Sequence, residues 1–251
     1  MSALPSLRFW FEYNSPYSYL AAVRVLRALE APVAPRFAIE FRPFLLGPVF
    51  AKTSPTGPKG PVLSNPAKTR YIVRDMQRLC QREGIVYRGW PGKPKPRPVN
   101  TTAAARLTAL LNACLVPADG SALPLAAQRL LARWVLDVFE AMFVHHYDVS
   151  KPEVLTALLQ SRAEAWHTPL AVTPLLQELG ITANPGSLVH AATTHPRTEA
   201  MVQDNTDWAI ANDIFGAPFF ITDDGERFWG SDRWADAAAW AVNPMDLPAK
   251  L

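Results

Sequence analysis

The chain has 251 residues, 49% of them hydrophobic, with 25 basic and 22 acidic side chains for a net charge of +3. Such apolar content builds a sizeable core and excludes a disordered chain, while so small a charge spreads no extended field for nucleic acid. No apolar run reaches the ~18 uncharged residues of a membrane span, and the 2 cysteines and 5 histidines fall into no zinc-binding spacing. The opening Met-Ser-Ala-Leu-Pro lacks a basic segment followed by an apolar one. A cytoplasmic, reduced setting without membrane or nucleic-acid partners is therefore expected.

Leu7 to Tyr13 is short and aromatic-rich, which suits a strand. Asn14-Ser15-Pro16 punctuates it, and Tyr19, Ala22, Val23, Leu26 and Leu29 then recur on one helical face. Ser15-Pro16-Tyr17-Ser18 thus falls at a strand-to-helix turn, with the layout of a C-x-x-C redox site whose sulfurs are replaced by oxygens. Backbone N–H groups and the positive end of the helix dipole point at whatever sits over Ser15, which favours an anion there. Serine cannot form the disulfide, so any thiolate must be brought in. The same residues also make an ordinary helix start, with Ser15 as N-cap and Pro16 at the first helical position. Ala38 to Pro43 alternates as a second strand, and a β-α-β unit requires parallel strands with a right-handed crossover.

Residues 47 to 66 read as loop, broken by Gly47, Pro48, Pro55, Gly57, Pro58, Gly60, Pro61 and Pro66. A helix follows from about Ala67 to Glu83 and stops at Gly84; the basic, proline-rich Arg88 to Pro98 reads as a stiff extended connector. From Asn100 to about His195 the pattern is helical. Its longest helix carries the stripe Leu131, Trp134, Val135, Val138, Met142 and Phe143, and Pro152, Pro169, Pro174 and Pro185 mark starts or breaks. Cys80 and Cys114 lie in helical patterns and read as buried or semi-buried thiols. A further helix runs from about Thr198 to Asn212. Ile214 to Thr222, the Asp223-Asp224-Gly225 turn and Glu226 to Gly230 then form a hairpin, and Ser231 to Val242 a last helix.

The order is β-α-β, a helical block, then α-β-β-α. Removing the block leaves an α/β, thioredoxin-like order. The expected fold is a thioredoxin-like domain interrupted by a large all-helical insertion, with residues 1–65 and 196–251 as the discontinuous domain and 66–195 as the insertion. Strands from both ends of the chain then bring residues near 15, 218 and 231 into one site. Ala217–Pro218, after a helix and before a hairpin, is expected to be cis, leaving the Ala217 backbone free to pair with an extended peptide. Ser231 and Asp232 read either as an N-cap with an acidic first turn or as a site for a ligand ammonium group. One peptide with an amino group, a thiol and an extended backbone fits all three segments.

Phe9-Trp10-Phe11-Glu12-Tyr13-Asn14-Ser15-Pro16-Tyr17-Ser18-Tyr19-Leu20 resembles the opening of 2-hydroxychromene-2-carboxylate isomerases and of the related kappa-class glutathione transferases, which share a DsbA-like thioredoxin fold. Ile214 to Pro218 and Phe228 to Arg233 resemble that family's later motifs, and Asn100-Thr101 followed by Arg106 fits its helical insert. The resemblance implies a homodimer that uses glutathione. It sets Ser15 against the glutathione sulfur, with Pro16 and Tyr17 lining the site. The Ala217 main chain and Pro218 hold the cysteinyl part, Ser231 and Asp232 the γ-glutamyl end, and Lys68 matches a glutathione-contacting lysine. Asn14 and Ala217 depart from the family's usual residues, which leaves the second substrate open.

The implied reaction, in aromatic-compound degradation, interconverts 2-hydroxychromene-2-carboxylate and trans-o-hydroxybenzylidenepyruvate without consuming the thiol, whose pKa Ser15 and the helix dipole lower. A small aromatic carboxylate needs a cation, for which Lys52, Lys59, Arg70, Arg74 and Arg97 are candidates, and an apolar wall. Two other readings use the same site: a kappa-like transferase or other glutathione-dependent enzyme acting on electrophiles without isomerisation, or a non-catalytic thiol- or peptide-binding module. A disulfide oxidoreductase is disfavoured, because neither position 15 nor 18 is cysteine.

Overall fold

In the computed structural model, which describes residues 4–55, 57–91, 98–117, 119, 121–171 and 173–245, the aromatic run forms strand β1 (Ser6–Phe11). Helix α1 (Pro16–Glu30) crosses over to β2 (Ala38–Pro43), which pairs with β1 in parallel. From the other end of the chain, β3 (Phe219–Thr222) lies antiparallel to β1 and β4 (Arg227–Trp229) antiparallel to β3, giving the sheet order β2-β1-β3-β4. This is the thioredoxin-like arrangement expected from the order of elements.

The period-two alternation of strands separates two faces. Phe41, Phe9, Phe220 and Phe228 stand in one row across the sheet. Phe9 stacks on Phe220 at 5.2 Å, in a core continuous with Val25 and Leu26 of α1. Trp10 and Phe219 belong to the opposite face, where Trp10 stacks on Trp208 at 4.6 Å.

The segment 47 to 66 corrects the loop reading. It holds α2 (Leu46–Thr53), a 3-10 turn and the short α3 (Gly60–Leu63). Pro48 and Pro61 fall in the first turns of their helices, where a backbone N–H has no intrahelical acceptor and proline costs little. Helix α4 (Pro66–Glu83) ends as expected at Gly84, in the left-handed conformation that lacks a Cβ penalty. Gly92 to Arg97 of the proline-rich connector lie outside the described residues.

The long middle of the chain is helical: α5 (Thr102–Leu115), α6 (Leu125–Phe143), α7 (Pro152–Gln160), α8 (Ala163–Ala171), α9 (Pro174–Glu178) and α10 (Pro185–Thr194). Pro152, Pro174 and Pro185 each start a helix, whereas Pro169 sits inside α8. The predicted stripe of α6 is buried, and its Phe139 packs on Phe11, Tyr13 and Tyr19. Helix α11 (Pro196–Ala211) leads back to the sheet and α12 (Trp234–Val242) closes the chain against it. Among the described residues no helix is long and apolar enough to cross a membrane, and no cluster of acidic, histidine or cysteine side chains is placed to hold a metal ion.

Candidate functional site

β1 delivers the chain to the site and α1 carries it away. Beyond Phe11 the Tyr13 hydroxyl hydrogen-bonds Thr108 Oγ1 at 2.6 Å, and Ser15 N–H donates to the Glu12 carbonyl at 3.0 Å. Ser15 is the N-cap of α1: its backbone is extended, its Oγ accepts from Ser18 N–H at 3.2 Å, and Pro16 takes the first helical position. The Ser15 hydroxyl also donates to the Ala217 carbonyl at 2.9 Å, joining the two ends of the chain. The Ala217–Pro218 bond is cis, as expected.

A helix start leaves its first N–H groups without intrahelical acceptors. Pro16 has no N–H, Ser18 donates to Ser15 Oγ, and Tyr19 donates to the Ser15 carbonyl at 3.2 Å. Tyr17 N–H has no partner among the described residues and remains available, with the helix dipole behind it, to an anion. The two serines differ. Ser15 retains 8% exposure, whereas Ser18 has 0% and its Oγ is buried without a partner among the described residues.

Tyr17 is half-buried and its hydroxyl donates to Asp75 Oδ2 of α4 at 2.8 Å. Burial, then the Asp75 carboxylate, raise its pKa well above the usual 10, so it stays a neutral donor. Lys68 is exposed in the first turn of α4, where Asn65 Oδ1 accepts its backbone N–H at 3.3 Å. It precedes Asp75 by two helical turns, about 10 Å along the same side of α4. Lys52, Lys59, Arg70 and Arg74 are all exposed on or beside α2 to α4, and Arg97 lies outside the described residues.

The third segment departs from the expected single helix. Ser231–Arg233 form a 3-10 turn and α12 starts only at Trp234; Ser231 makes no side-chain cap bond. The cause is Gly230, at φ +110, which donates to the Pro218 carbonyl at 3.0 Å and turns the chain sharply. A Cβ there would stand 2.6 Å from Asp232 Oδ1. Ser231 is buried, while Asp232 is exposed with its nearest cation, Arg233 Nε, at 3.6 Å.

Beneath Ser15 lies a polar knot that sequence reasoning missed. Asn14 Nδ2 donates to the Val99 carbonyl at 2.8 Å, and Val99 N–H donates back to Asn14 Oδ1 at 2.9 Å. Trp90 Nε1 donates to the Asn14 carbonyl at 3.0 Å, and Thr101 Oγ1 donates to the buried Glu12 carboxylate at 2.6 Å. A charged residue just past an aromatic strand, two positions before an asparagine, is the available signal. Burial holds the Glu12 carboxyl above its ordinary 4.5, against opposing bonds from Thr101 and Asn14.

A carboxyl whose folded pKa is raised holds more protons folded than unfolded. Its contribution therefore falls as pH rises from about 4.5 through the folded pKa. Glu12→Gln is expected to flatten that decline. Its melting temperature relative to wild type should rise between pH 4 and 8; a constant difference across that range sinks the assignment.

Neither native thiol suits the chemistry. Both are buried, which pushes Cys80 up to about 11 and Cys114 up to about 12.

The model of the DSBA-like thioredoxin domain matches residues 6–162 and 147–239. The chain belongs to the DsbA-like thioredoxin domain family. Over its full length this family member is 26% identical to "Glutathione S-transferase kappa 1" of Caenorhabditis elegans, covering 97% of that protein. Its fold is similar to a solved 2-hydroxychromene-2-carboxylate isomerase at a TM-score of 0.64, with 22% identity and 93% of each chain covered. It is also similar to the cytosolic disulfide reductase DsbM of Pseudomonas aeruginosa, solved with GSH, at a TM-score of 0.53 and 14% identity, covering 95% of this chain and 93% of that one. Ser15 and Ser18, at the start of α1, have the spacing of a C-x-x-C site but carry hydroxyls in place of thiols.

Proposed function

We propose that this protein is a glutathione-dependent isomerase acting on a small aromatic carboxylate of the 2-hydroxychromene-2-carboxylate type. The observation that carries the glutathione reading is the Ser15 Oγ to Ala217 carbonyl bond beside the unpartnered Tyr17 N–H. It gathers a hydroxyl, a backbone acceptor, a backbone donor and a helix N-terminus at one point. That donor set fits a thiol-bearing peptide, and the buried, high-pKa cysteines leave the thiol to be supplied from outside. The kappa relative, matched end to end, supports the same cofactor.

Glutathione, when bound, supplies a nucleophilic thiolate. Ser15 turns its hydroxyl from the Ala217 carbonyl toward the sulfur while keeping Ser18 N–H on its oxygen. The released Ala217 carbonyl accepts an N–H of the peptide backbone, and Tyr17 N–H adds a second donor toward the sulfur. The exposed Asp232 carboxylate receives the ammonium of the γ-glutamyl end, and Lys68 a carboxylate. Pro16 and Pro218 line the site without competing N–H groups.

A second reading, a kappa-like transferase, is supported by the kappa relative and uses the same residues. Turnover of a chromene carboxylate with catalytic glutathione separates them, since a transferase consumes the thiol. Calorimetry with glutathione and with its des-thiol analogue tests the shared part. Saturable binding is expected, and none of either at millimolar concentration ends both readings.

A further inference from the structure

Arg24 stands midway along α1, on none of the segments assigned to glutathione above. Its guanidinium forks onto Glu83, the last residue of α4: Nε donates to Oε2 at 3.1 Å and Nη2 to Oε1 at 2.5 Å. Its Nη1 donates to the Ser231 carbonyl, the same oxygen that takes Trp234 N–H where the 3-10 turn meets α12. The pair is largely withdrawn from solvent, with side chains 18% and 20% exposed, and the Arg24 bonds hold the Glu83 carboxyl below its ordinary range.

One side chain thus joins three of the elements that carry candidate residues. These are α1 with Ser15 and Tyr17, α4 with Lys68 and Asp75, and the turn with Ser231 and Asp232. Arginine suits this because its donors form a rigid plane. Once Glu83 fixes that plane, the direction of Nη1 is fixed too. An ion pair serving stability alone needs only Glu83; the bond to Ser231 sets the position of the turn relative to α1.

We infer that Arg24 is a positioning residue for γ-glutamyl recognition, oriented by Glu83 and fixing the Ser231–Asp232 turn at its distance from Ser15. This rests on the glutathione reading above. The Asp232 side chain is exposed, and its ion-pair partner, Arg233 Nε at 3.6 Å, belongs to the same turn. Its placement therefore depends on the main chain of its turn, and that main chain is what Arg24 grips.

The test uses Arg24→Met and the pair Arg24→Met/Glu83→Met, because replacing both members of a part-buried ion pair by apolar residues avoids leaving one charge without its partner. Binding of glutathione and of cysteinylglycine, which lacks the γ-glutamyl group, is measured by calorimetry. Amide exchange at residues 230–233 is followed without ligand. The double variant is expected to bind glutathione about tenfold more weakly and cysteinylglycine within about twofold of wild type, with the pKa of bound thiol unchanged. Exchange at the turn is expected to quicken by about tenfold or more. An unchanged affinity ratio in the folded double variant, or unchanged exchange, overturns the inference. If wild type binds neither thiol, the glutathione reading and the γ-glutamyl role fall together, and the exchange rates still decide whether Arg24 holds the turn.

Discussion

Ser15→Ala is expected to lower turnover about ten- to a hundredfold, because a hydrogen bond to a charged group is worth roughly 1.5–3 kcal/mol and each ~1.4 kcal/mol is a factor of ten. Glutathione affinity should change less, since Ala217, Asp232 and the first turn of α1 hold the peptide. The pH dependence of the rate should move upward, as the thiol loses a donor that favours its ionised form. The variant also loses the cap on Ser18 N–H and the donor to the Ala217 carbonyl, so a stability loss of about 1–2 kcal/mol accompanies the rate effect.

These two effects are separable. Ser15→Cys replaces the hydroxyl by a thiol that can enter a mixed disulfide with glutathione, and it should stall under oxidising conditions and recover with reductant. Ser18→Ala should do little to either quantity, because the Ser18 hydroxyl is fully buried and makes no bond among the described residues. Full activity and an unchanged pH profile in Ser15→Ala would reduce Ser15 to a helix cap. The thiolate would then rest on Tyr17 N–H and the helix dipole alone.

What the sequence made legible follows from the range of the physics involved. The bounds of β2 are legible to the residue because its alternation and its flanks are local signals, and Pro16 is legible as a first helical position because a fixed φ suits it. Of the four later prolines that mark starts or breaks, Pro152, Pro174 and Pro185 start helices and Pro169 lies inside one. The same residue type misled at Pro48 and Pro61, where proline again stood in a first turn but neighbouring glycines suggested loop. Ser231 looked like a cap because the left-handed turn at Gly230, which removes it from that role, is a matter of one dihedral angle. Long-range pairings were the least readable. That Arg24 meets Ser231, Tyr17 meets Asp75 and Asn14 meets Val99 depends on how helices pack, and no local pattern encodes it.

Asn14 carries the largest expected effect on stability. Its amide closes a reciprocal pair with the Val99 backbone, and it stands between Glu12, which takes the Thr101 hydroxyl, and Ser15, whose N–H returns to the Glu12 carbonyl. Asn14→Leu, close in volume, leaves Val99 N–H and C=O without these partners in a part-buried setting. A loss of about 2–4 kcal/mol is expected, from two bonds near 1 kcal/mol each and the cost of stranding polar groups. Asn14→Asp discriminates further. Its carboxylate can still accept from Val99 N–H but cannot donate to the Val99 carbonyl, and it adds a negative charge beside Glu12. Protonation restores the missing donor and removes the charge, so Asn14→Asp should be strongly destabilised in urea at pH 7 and recover toward wild type near pH 4. Activity relative to wild type at the same pH should follow the same course, because the loop that carries Ser15 rests on this knot. An Asn14→Leu variant within about 0.5 kcal/mol of wild type, the range of an ordinary surface substitution, would mean that Trp90 and the Glu12 main chain hold the loop without it.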